Sequence, residues 1–246
     1  MIRNLFGVDI TDIDIASSVD MFLTGNHDNS GFFYVVTPNV DHFQRLECEP
    51  DSIFRQSYMK ASFRFCDSRV IQKFSLLKGY KIENVIPGSD LTHALLSNPV
   101  MKTKKIMMLG PSNEEVGHIA KIFELNNVVS HSPPMGFIGD DVAVQKAIEA
   151  VANSGAEFTF IAVGSPQQEI LALKIKEYSE ANTCNINMVA FCIGASLDFL
   201  TGKQDRAPRA LQKLHLEWLH RALTNPRKLA PRYFRNFLWL CKILLR

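Results

Sequence analysis

The sequence of 246 residues lacks any apolar run long enough to cross a bilayer. The nearest candidate, residues 234–245, is short and interrupted by Arg235, Asn236 and Lys242, whereas a spanning helix needs about 20 mostly apolar residues. Residues 1–14 also lack the apolar stretch behind a basic start that a secretory signal requires. We therefore expect a protein that stays in the cytoplasm and does not cross the membrane, with residues 234–245 suited at most to lying on a membrane surface.

Paired cysteines and clustered metal ligands are absent as well. The five cysteines are odd in number, widely spaced and without a C-x-x-C pair, which argues against a disulfide framework and a structural zinc site. The histidines form no ligand-spaced cluster, and no D-x-D pair follows a strand, since Asp140 and Asp141 are better explained as a helix start. We expect no metal requirement and no bound cofactor.

The near-neutral net charge of +2 hides a strong segregation of charge along the chain. Residues 203–246 carry eleven Lys and Arg against two acidic residues, whereas residues 1–202 carry sixteen basic against twenty-three acidic residues. A basic segment that also contains aromatic residues such as Trp218 and Trp239 suits contact with an anionic surface. We predict one domain over residues 1–202 and a basic helical appendage over residues 203–246, where the chain meets its partner or its phosphate.

Apolar strands alternate with amphipathic helices along most of the chain. The predicted strands cover residues 31–36, 63–65, 105–109, 128–129, 158–163 and 188–193, and the predicted helices cover residues 40–60, 114–125, 140–152 and 167–180. Near-continuous apolar strands separated by such helices indicate βαβ units and a parallel sheet covered on both faces. The sequence therefore predicts an α/β fold with a Rossmann-like parallel sheet flanked by helices.

Several predicted strands end in residues suited to a ligand site. In a parallel sheet, ligands sit beyond the carboxyl ends of the strands, where loops and helix N-termini present backbone N–H groups. The residues that follow the predicted strands in this way are Thr37, Asn39, Asp67, Gly110, Gly164 and Gly194. We expect them to share one neighbourhood.

The C-terminal segment predicts two or three short helices rather than one long helix. Pro226 follows Asn225, as a capped helix start requires, and Pro231 interrupts the pattern five residues later. Over residues 232–246 a helical projection places most apolar residues on one arc and the basic ones opposite, although Trp239 and Ile243 fall among the basic residues. Two alternatives are open: the helix packs on the body or a second subunit, or it contacts a membrane surface. Because an exposed apolar helix needs cover in solution, a homo-oligomer is a further prediction.

Five segments carry a resemblance to a known family. They are T-P-N at residues 37–39, C-D-S at 66–68, P-G-S-D-L at 87–91, G-S-P-Q-Q-E at 164–169, and a stretch that runs from G-A-S-L-D at 194–198 through G-K-Q-D-R-A-P at 202–208 to N-P-R at 225–227. In this order and spacing they resemble the WecG/TagA/CpsF family of glycosyltransferases, glycosyltransferase family 26. The resemblance extends over residues 37–235, and the segments at 164–169 and 202–208 are its most specific parts.

The resemblance implies an inverting, metal-independent transfer of a sugar from a UDP-sugar to a sugar linked to a polyprenyl diphosphate at the cytoplasmic membrane surface. The donor sugar would be N-acetylmannosamine, its uronic acid or glucose. The acceptor would be undecaprenyl diphosphate carrying one sugar, on the way to teichoic acid or another cell-surface polysaccharide. We expect no nucleic-acid partner.

The resemblance also assigns roles to individual residues. Asp67 is the candidate base that takes a proton from the acceptor hydroxyl, and its alternative is a turn or helix cap. Thr37 and Asn39 would line the sugar end of the site, unless they form only an Asx or proline-directed turn. Val85 stands where many relatives have an arginine, three residues before the glycine of G-S-D, and this departure leaves the donor sugar open.

The remaining candidate ligand residues lie in the other motifs. They are Gly88, Ser89 and Asp90 in the G-S-D segment; Gly110 and Gly136 as nucleotide-site glycines; Gly164, Pro166, Gln168 and Glu169 in a loop that leads into a helix; and Arg206, Arg209, Arg221 and Arg227 in the appendage. Backbone N–H groups at a helix start attract a phosphate or a uracil carbonyl, and planar guanidinium groups suit diphosphate oxygens. The alternative for these arginines is a solvated surface position.

Two other classes of function share some of these sequence features. The βαβ units and glycine loops would also fit a dinucleotide-dependent oxidoreductase, but the G-x-G-x-x-G fingerprint with its acidic partner is absent. A non-enzymatic module that binds a membrane or nucleic acid through its basic tail would leave the loops around Thr37, Asp67 and Gln168 without a purpose. The sequence therefore favours a membrane-associated glycosyltransferase on the inner face of the cell membrane. On this reading residues 1–202 are the catalytic domain, and the appendage of residues 203–246 completes the active site and contacts the membrane.

Overall fold

Eight strands form two sheets in the part of the chain that the computed structural model describes, which is residues 1–27, 31–181, 186–200, 202 and 226–245. They are β1 (Ile2–Leu5), β2 (Val8–Thr11), β3 (Phe32–Val36), β4 (Phe63–Arg64), β5 (Lys105–Leu109), β6 (Asn127–His131), β7 (Phe158–Ile161) and β8 (Met188–Cys192). β1 and β2 form an antiparallel hairpin, and the other six strands pair in parallel in the order β4-β3-β8-β7-β5-β6. The predicted parallel sheet is confirmed.

Helices cover both faces of this sheet. Those that lie in the described residues are α1 (Ile15–Thr24), α2 (Val40–Cys48), α3 (Ile53–Lys60), α4 (Arg69–Leu77), α5 (Gly88–Leu96), α6 (Asn113–Phe123), α7 (Asp141–Ala152), α8 (Gln167–Ala181), α9 (Ser196–Leu200) and α10 (Pro226–Leu245). Short 3-10 helices occupy Pro99–Lys102 and Phe137–Gly139. The predicted α/β class and the C-terminal helix are both confirmed.

The core has two layers, one on each face of the sheet, because successive strand residues point in opposite directions. From β3, Phe32, Tyr34 and Val36 join the layer that contains α2, α3, α7, α8 and α10, whereas Phe33 and Val35 join the layer that contains α1, α5, α6 and α9. All five side chains are buried, and burial of a large apolar side chain stabilises a fold by roughly 1.5–3 kcal/mol. Burial on both faces explains why this strand is apolar throughout.

The N-terminal hairpin, which the sequence patterns did not predict, anchors a loop that leads to the site. Its Leu5 and Ile10 are fully buried. At its end, the Asp12 carboxylate accepts hydrogen bonds from the backbone N–H groups of Glu83 at 3.0 Å and Asn84 at 2.9 Å. Burial alone would raise the pKa of Asp12, but these donors outweigh it and lower the pKa. A charged Asp12 therefore fixes the loop that precedes α5.

The prediction of a single helix over residues 40–60 is wrong, since two helices occupy this range. α2 ends at Cys48 and α3 begins at Ile53. Pro50 explains the break, because proline has no N–H to donate and disfavours a helical backbone at the residue before it, here Glu49 with φ −125° and ψ 64°.

The predicted break of the C-terminal helix at Pro231 is wrong, whereas the predicted number of helices depends on residues 203–225, which lie outside the described residues. α10 runs without a break from Pro226 to Leu245 and contains Pro231. Pro231 lies in the second turn, so its missing N–H removes only the bond to the carbonyl of Arg227, and packing of the later turns against the body stabilises the helix. The predicted cap, Asn225, lies outside the described residues.

α10 has one apolar face that is buried and another that is exposed. The buried face packs against α2 and α4 through Trp239, Leu240 and Ile243, together with the polar Asn236. Trp239 and Ile243, which interrupt the basic side of the helical projection, thus belong to the face that contacts the body. The opposite face, called the outer face below, consists of Phe234, Phe237, Leu238, Leu244 and Leu245, which are 41–89% exposed.

Of the two alternatives for this helix, packing on the body is therefore confirmed for one face only. Among the residues that the structure describes, no helix is long and apolar enough to cross a bilayer.

Candidate active site

The residues predicted to share a neighbourhood follow the carboxyl ends of neighbouring strands. Thr37 and Asn39 follow β3, Asp67 follows β4, and the glycines 194, 164 and 110 follow β8, β7 and β5. Because these strands are parallel, their carboxyl ends meet at one edge of the sheet. Backbone hydrogen bonds join the loops there, for example from Asp67 N–H to the Pro38 carbonyl at 3.0 Å.

The start of α5 is pressed against the end of β3. A Cβ atom added to Gly88 would lie 2.9 Å from Thr37 Oγ1 and 3.6 Å from Ser196 Oγ, so only glycine fits without a shift. α5 has no side-chain cap at Pro87, and its first turn also contains Ser89 and Asp90, whose side chains lie 3.3 Å apart. The structure therefore brings the G-S-D segment directly beside Thr37.

Asp67 lies half-buried between β4 and α4. A helix cap was the alternative role for Asp67. Ser68 instead caps α4, because its Oγ accepts a hydrogen bond from the Ile71 N–H at 3.3 Å. The loop that holds Asp67 contacts the loop before α5, because the Ile86 N–H donates a hydrogen bond to the Cys66 carbonyl at 2.8 Å.

Asn39 forms the Asx turn that was its alternative role, and this turn caps α2. Its Oδ1 accepts from the backbone N–H groups of Asp41 at 3.1 Å and His42 at 3.4 Å. The capping box is completed by His42 Nδ1, which accepts from the Asn39 N–H at 3.3 Å. The oxygen of Asn39 is therefore committed to the helix, and the Nδ2 group is the part of its side chain suited to a ligand.

His42 is a site neighbour whose role the sequence did not reveal. Its ring is buried against Phe54 and Tyr58. Burial lowers the pKa of His42 to about 3, and the guanidinium groups of Arg232 and Arg45 contribute to this shift. The ring is therefore neutral near pH 7 and works as a hydrogen-bond acceptor for the loop. The capping-box spacing from Asn39 was the only sequence signal for this arrangement.

Gln168 and Glu169 are buried, although both were predicted to bind substrate. Their side chains are 4% and 1% exposed. Gln168 Nε2 donates to Glu169 Oε1 at 2.9 Å, and Gln168 Oε1 accepts from the Gly194 N–H at 2.7 Å. Burial raises the pKa of Glu169. The structure thus connects the loop after β7 to the loop after β8 through these side chains.

A cavity of about 190 Å³ lies at the ends of β5, β7 and β8. Its lining consists of Gly110, Pro111, Glu115, Ile119, Ala162, Gly194, Leu197 and Asp198. Gly110 has φ +120°, and a Cβ added to it would lie 2.9 Å from the carbonyl carbon and oxygen of Ala162. Sequence reasoning found Gly110 and Gly194 but missed Glu115 and Asp198, although the Ser112-x-x-Glu115 capping pattern marked the start of α6.

Three other predicted ligand residues shape turns and are absent from the cavity lining. Gly136 is exposed with φ +77°, and Gly164 has φ +80°; a Cβ added to either glycine would meet no atom within 4 Å. The peptide bond between Ser165 and Pro166, just after Gly164, is cis. Whether these residues contact a ligand remains a prediction.

α10 runs beside α2 in the same direction. Its Arg232 Nε lies 2.9 Å from Asp41 Oδ1 at the start of α2, and its Trp239 Nε1 donates to Glu47 Oε2 at 2.6 Å near the end of α2. The N-terminal end of α10 therefore points to the carboxyl edge of the sheet, and Arg227 is exposed about 7.5 Å beyond Arg232 along the helix axis.

Three of the four predicted phosphate-binding arginines, Arg206, Arg209 and Arg221, lie outside the described residues. Within the described residues, no three His, Cys, Asp or Glu side chains are grouped so as to hold a metal ion.

Comparison with known proteins shows which family the chain belongs to. The model of the glycosyl transferase WecG/TagA/CpsF family matches residues 3–246. The chain belongs to this family. It is a glycosyltransferase, and neither the oxidoreductase nor the non-enzymatic binding module is favoured.

Two curated relatives of this WecG/TagA/CpsF family glycosyltransferase carry the same name, N-acetylglucosaminyldiphosphoundecaprenol N-acetyl-beta-D-mannosaminyltransferase. The protein from Bacillus spizizenii is 26% identical over 224 residues, which cover 89% of this chain and 82% of the relative. The protein from Staphylococcus aureus is 24% identical over 228 residues, which cover 90% of this chain and 84% of the relative. The similarity therefore extends over most of each protein, at low identity.

Proposed function

We propose that this chain transfers a sugar from a UDP-sugar to a sugar linked to a polyprenyl diphosphate, with inversion at the anomeric carbon and without a metal ion. The names of the two relatives support N-acetylmannosamine as the donor sugar and N-acetylglucosaminyldiphosphoundecaprenol as the acceptor. The observation that carries the proposal is the arrangement of the Asp67 loop, Thr37 and the start of α5 along one sheet edge, next to the cavity at Gly110 and Gly194.

The cavity is assigned to the nucleoside part of the donor. Its volume of about 190 Å³ is below the roughly 300–1,000 Å³ of pockets that enclose a drug-sized ligand, so it suits part of a nucleotide-sugar. The carboxylates of Glu115 and Asp198 line it, and carboxylates accept hydrogen bonds from ribose hydroxyls. Gly110 and Ala162 both line the cavity and pack so closely that a side chain at position 110 would clash with the Ala162 carbonyl.

Asp67 is assigned as the base. In an inverting transfer, the acceptor oxygen attacks the anomeric carbon, the bond from that carbon to the diphosphate oxygen breaks, and a base takes the hydroxyl proton. Asp67 follows β4, which is three strand positions from β7 in the sheet, or about 14 Å at the usual strand spacing. This separation leaves space for the sugar and diphosphate between the base and the nucleoside pocket.

The departing diphosphate needs positive partners where no metal ion takes part. The start of α5 offers them, because Pro87 provides no side-chain cap for the helix, and an uncapped helix N-terminus favours an anion. The guanidinium groups of the appendage, Arg206, Arg209, Arg221 and Arg227, are assigned to the same charge, since bidentate N–H donors suit phosphate oxygens.

The outer face of α10 is assigned to the membrane that holds the acceptor. This face continues onto the end of α4, where Leu76 and Leu77 are 55% and 70% exposed and Lys78 Nζ donates to the Leu244 carbonyl at 3.3 Å. Apolar side chains bordered by basic residues such as Lys78 and Lys242 suit a bilayer surface with anionic head groups. A second copy of the chain is the competing cover for this face.

Replacement of Asp67 tests the proposed chemistry. The variant Asp67→Asn keeps the shape of the side chain but cannot accept the proton, so UDP release in the presence of a lipid-linked acceptor should fall about 100-fold or more. Asp20→Asn, which removes one exposed carboxylate from α1, is the matched control and should leave turnover unchanged. Near-normal turnover of the Asp67 variant would remove this residue from the role of base.

A further inference from the structure

A buried chain of polar side chains connects α3 to the cavity. The Tyr58 hydroxyl donates to Glu169 Oε1 at 3.4 Å, and Gln168 Nε2 donates to the same oxygen at 2.9 Å. Gln168 Oε1 in turn accepts from the Gly194 N–H at 2.7 Å. The three side chains are at most 4% exposed, so these hydrogen bonds do not compete with bulk water.

Glu169 fixes the orientation of the Gln168 amide. The nitrogen of this amide faces a carboxyl oxygen, and its oxygen faces a backbone N–H. A flipped amide would set N–H against N–H at Gly194, and two donors cannot form a hydrogen bond. Only one orientation is therefore satisfied, and it depends on an acceptor at position 169.

Gly194 is the point where this orientation reaches the cavity. Its φ is +54°, a backbone conformation that favours glycine, and it begins a segment that turns from β8 into α9. Gly194, Leu197 and Asp198 line the cavity, whereas Ser196 lies beside Gly88 at the start of α5. One hydrogen bond thus holds a segment that touches both the cavity and the Thr37 side of the site.

We propose that Glu169 and Tyr58 are positioning residues, which hold the Gln168 amide so that the segment from Gly194 to Asp198 keeps the shape that receives the nucleotide. Neither residue contacts the donor or the acceptor. Glu169 is 1% exposed and Tyr58 is fully buried, so both side chains are enclosed by protein. The inference rests on the proposed function in naming a UDP-sugar as the occupant of the cavity.

Hydrogen exchange of the Gly194 amide, measured by NMR, tests the positioning directly, and UDP binding by calorimetry tests its consequence. In Glu169→Leu the Gln168 amide loses its acceptor, so exchange at Gly194 should accelerate, and the Kd for UDP and the KM for the donor should rise about 10- to 100-fold. kcat should change less than KM. Glu169→Gln keeps an acceptor oxygen and should bind UDP at least several-fold more tightly than Glu169→Leu.

The hydroxyl of Tyr58 should have a smaller effect, because its hydrogen bond is long. We expect Tyr58→Phe to accelerate Gly194 exchange and raise the Kd for UDP about 2- to 5-fold. Tyr34→Phe is the matched control, since Tyr34 is equally buried but donates to the Ser57 carbonyl instead of Glu169. It should leave both readouts at their wild-type values.

The possible outcomes separate this inference from the proposed function. Wild-type exchange at Gly194 in Tyr58→Phe and Glu169→Leu would overturn the positioning role. If Glu169→Leu does not fold, equal behaviour of Tyr58→Phe and Tyr34→Phe would overturn it. Accelerated exchange in a protein whose wild type binds no UDP would refute the proposed donor and leave the positioning role intact.

Discussion

Replacement of Gly88 by alanine should destabilise the protein, although alanine is the better helix former. Gly88 is the first residue of α5, and the new Cβ would lie 2.9 Å from Thr37 Oγ1, closer than non-bonded atoms approach. Overpacking of this kind costs about 1–3 kcal/mol, while the lower entropy of the unfolded chain offsets about 0.4–1 kcal/mol of that. The net loss is centred near about 1 kcal/mol, with an upper limit of about 2.6 kcal/mol, and each kcal/mol lowers Tm by about 2–4 °C in a chain of this size.

Gly117→Ala provides the matched control in urea or thermal unfolding. Gly117 is an exposed residue of α6 with no atom within 4 Å of an added Cβ, so the same change should stabilise the protein by about 0.5–1 kcal/mol. In the Thr37→Ala background the Oγ1 atom that the new Cβ would meet is gone. Adding Gly88→Ala to Thr37→Ala should therefore cost much less stability than adding Gly88→Ala to the wild type. If Gly88→Ala stabilises the protein as Gly117→Ala does, the tight contact between α5 and β3 does not exist.

Two further predictions concern Glu169 and the outer face of α10. Burial raises the pKa of Glu169 above its ordinary value of 4.5, so the folded state keeps a proton that the unfolded chain releases, and wild-type stability should fall relative to Glu169→Gln as pH rises from 4.5 through the raised pKa. Tyr34, Tyr58 and Cys192, which burial keeps neutral, and the Arg45 guanidinium are titratable groups that interact with this carboxyl; a stability difference that does not change between pH 5 and pH 8 in urea unfolding would contradict the assignment. The pair Phe237→Glu and Leu245→Glu should weaken sedimentation with phosphatidylglycerol vesicles about tenfold or more, whereas Ile122→Glu, an exposed apolar position on α6, should not. Loss of a dimer in the outer-face variant, with vesicle binding unchanged, would assign this face to a second copy.

The sheet and its carboxyl edge were predictable from sequence because local patterns determine them. The apolar run of β3 ends before Thr37-Pro38-Asn39, and a glycine turn at Gly194 follows β8, so strand, turn and helix could each be recognised within a few residues. The parallel arrangement of the strands then brings these ends together without further information. For the same reason Asp140 was correctly predicted as a helix start, where its side chain caps α7.

The arrangement within the site was not predictable, because it depends on contacts between distant parts of the chain. The hydrogen bond from Tyr58 to Glu169 joins residues 111 positions apart, and the Thr37–Gly88 contact joins two motifs whose spacing says nothing about distance. The projection of α10 failed for a related reason. A helix with one apolar face on the body and another exposed has no single hydrophobic arc. Trp239 therefore falls among the basic residues of the projection, although it is buried beside α2.

The most direct test of the central claim is transfer by the wild-type protein in the presence of a metal chelator. The reaction would contain UDP-N-acetylmannosamine and an N-acetylglucosaminyl diphosphate on a short polyprenyl chain, with product identified by mass spectrometry and its anomeric configuration by NMR. We predict one sugar transferred for each UDP released, with configuration inverted relative to the donor and with a rate that chelation does not reduce. Retained configuration, dependence on a divalent ion, or no transfer from any UDP-sugar to a lipid-linked acceptor would contradict the claim.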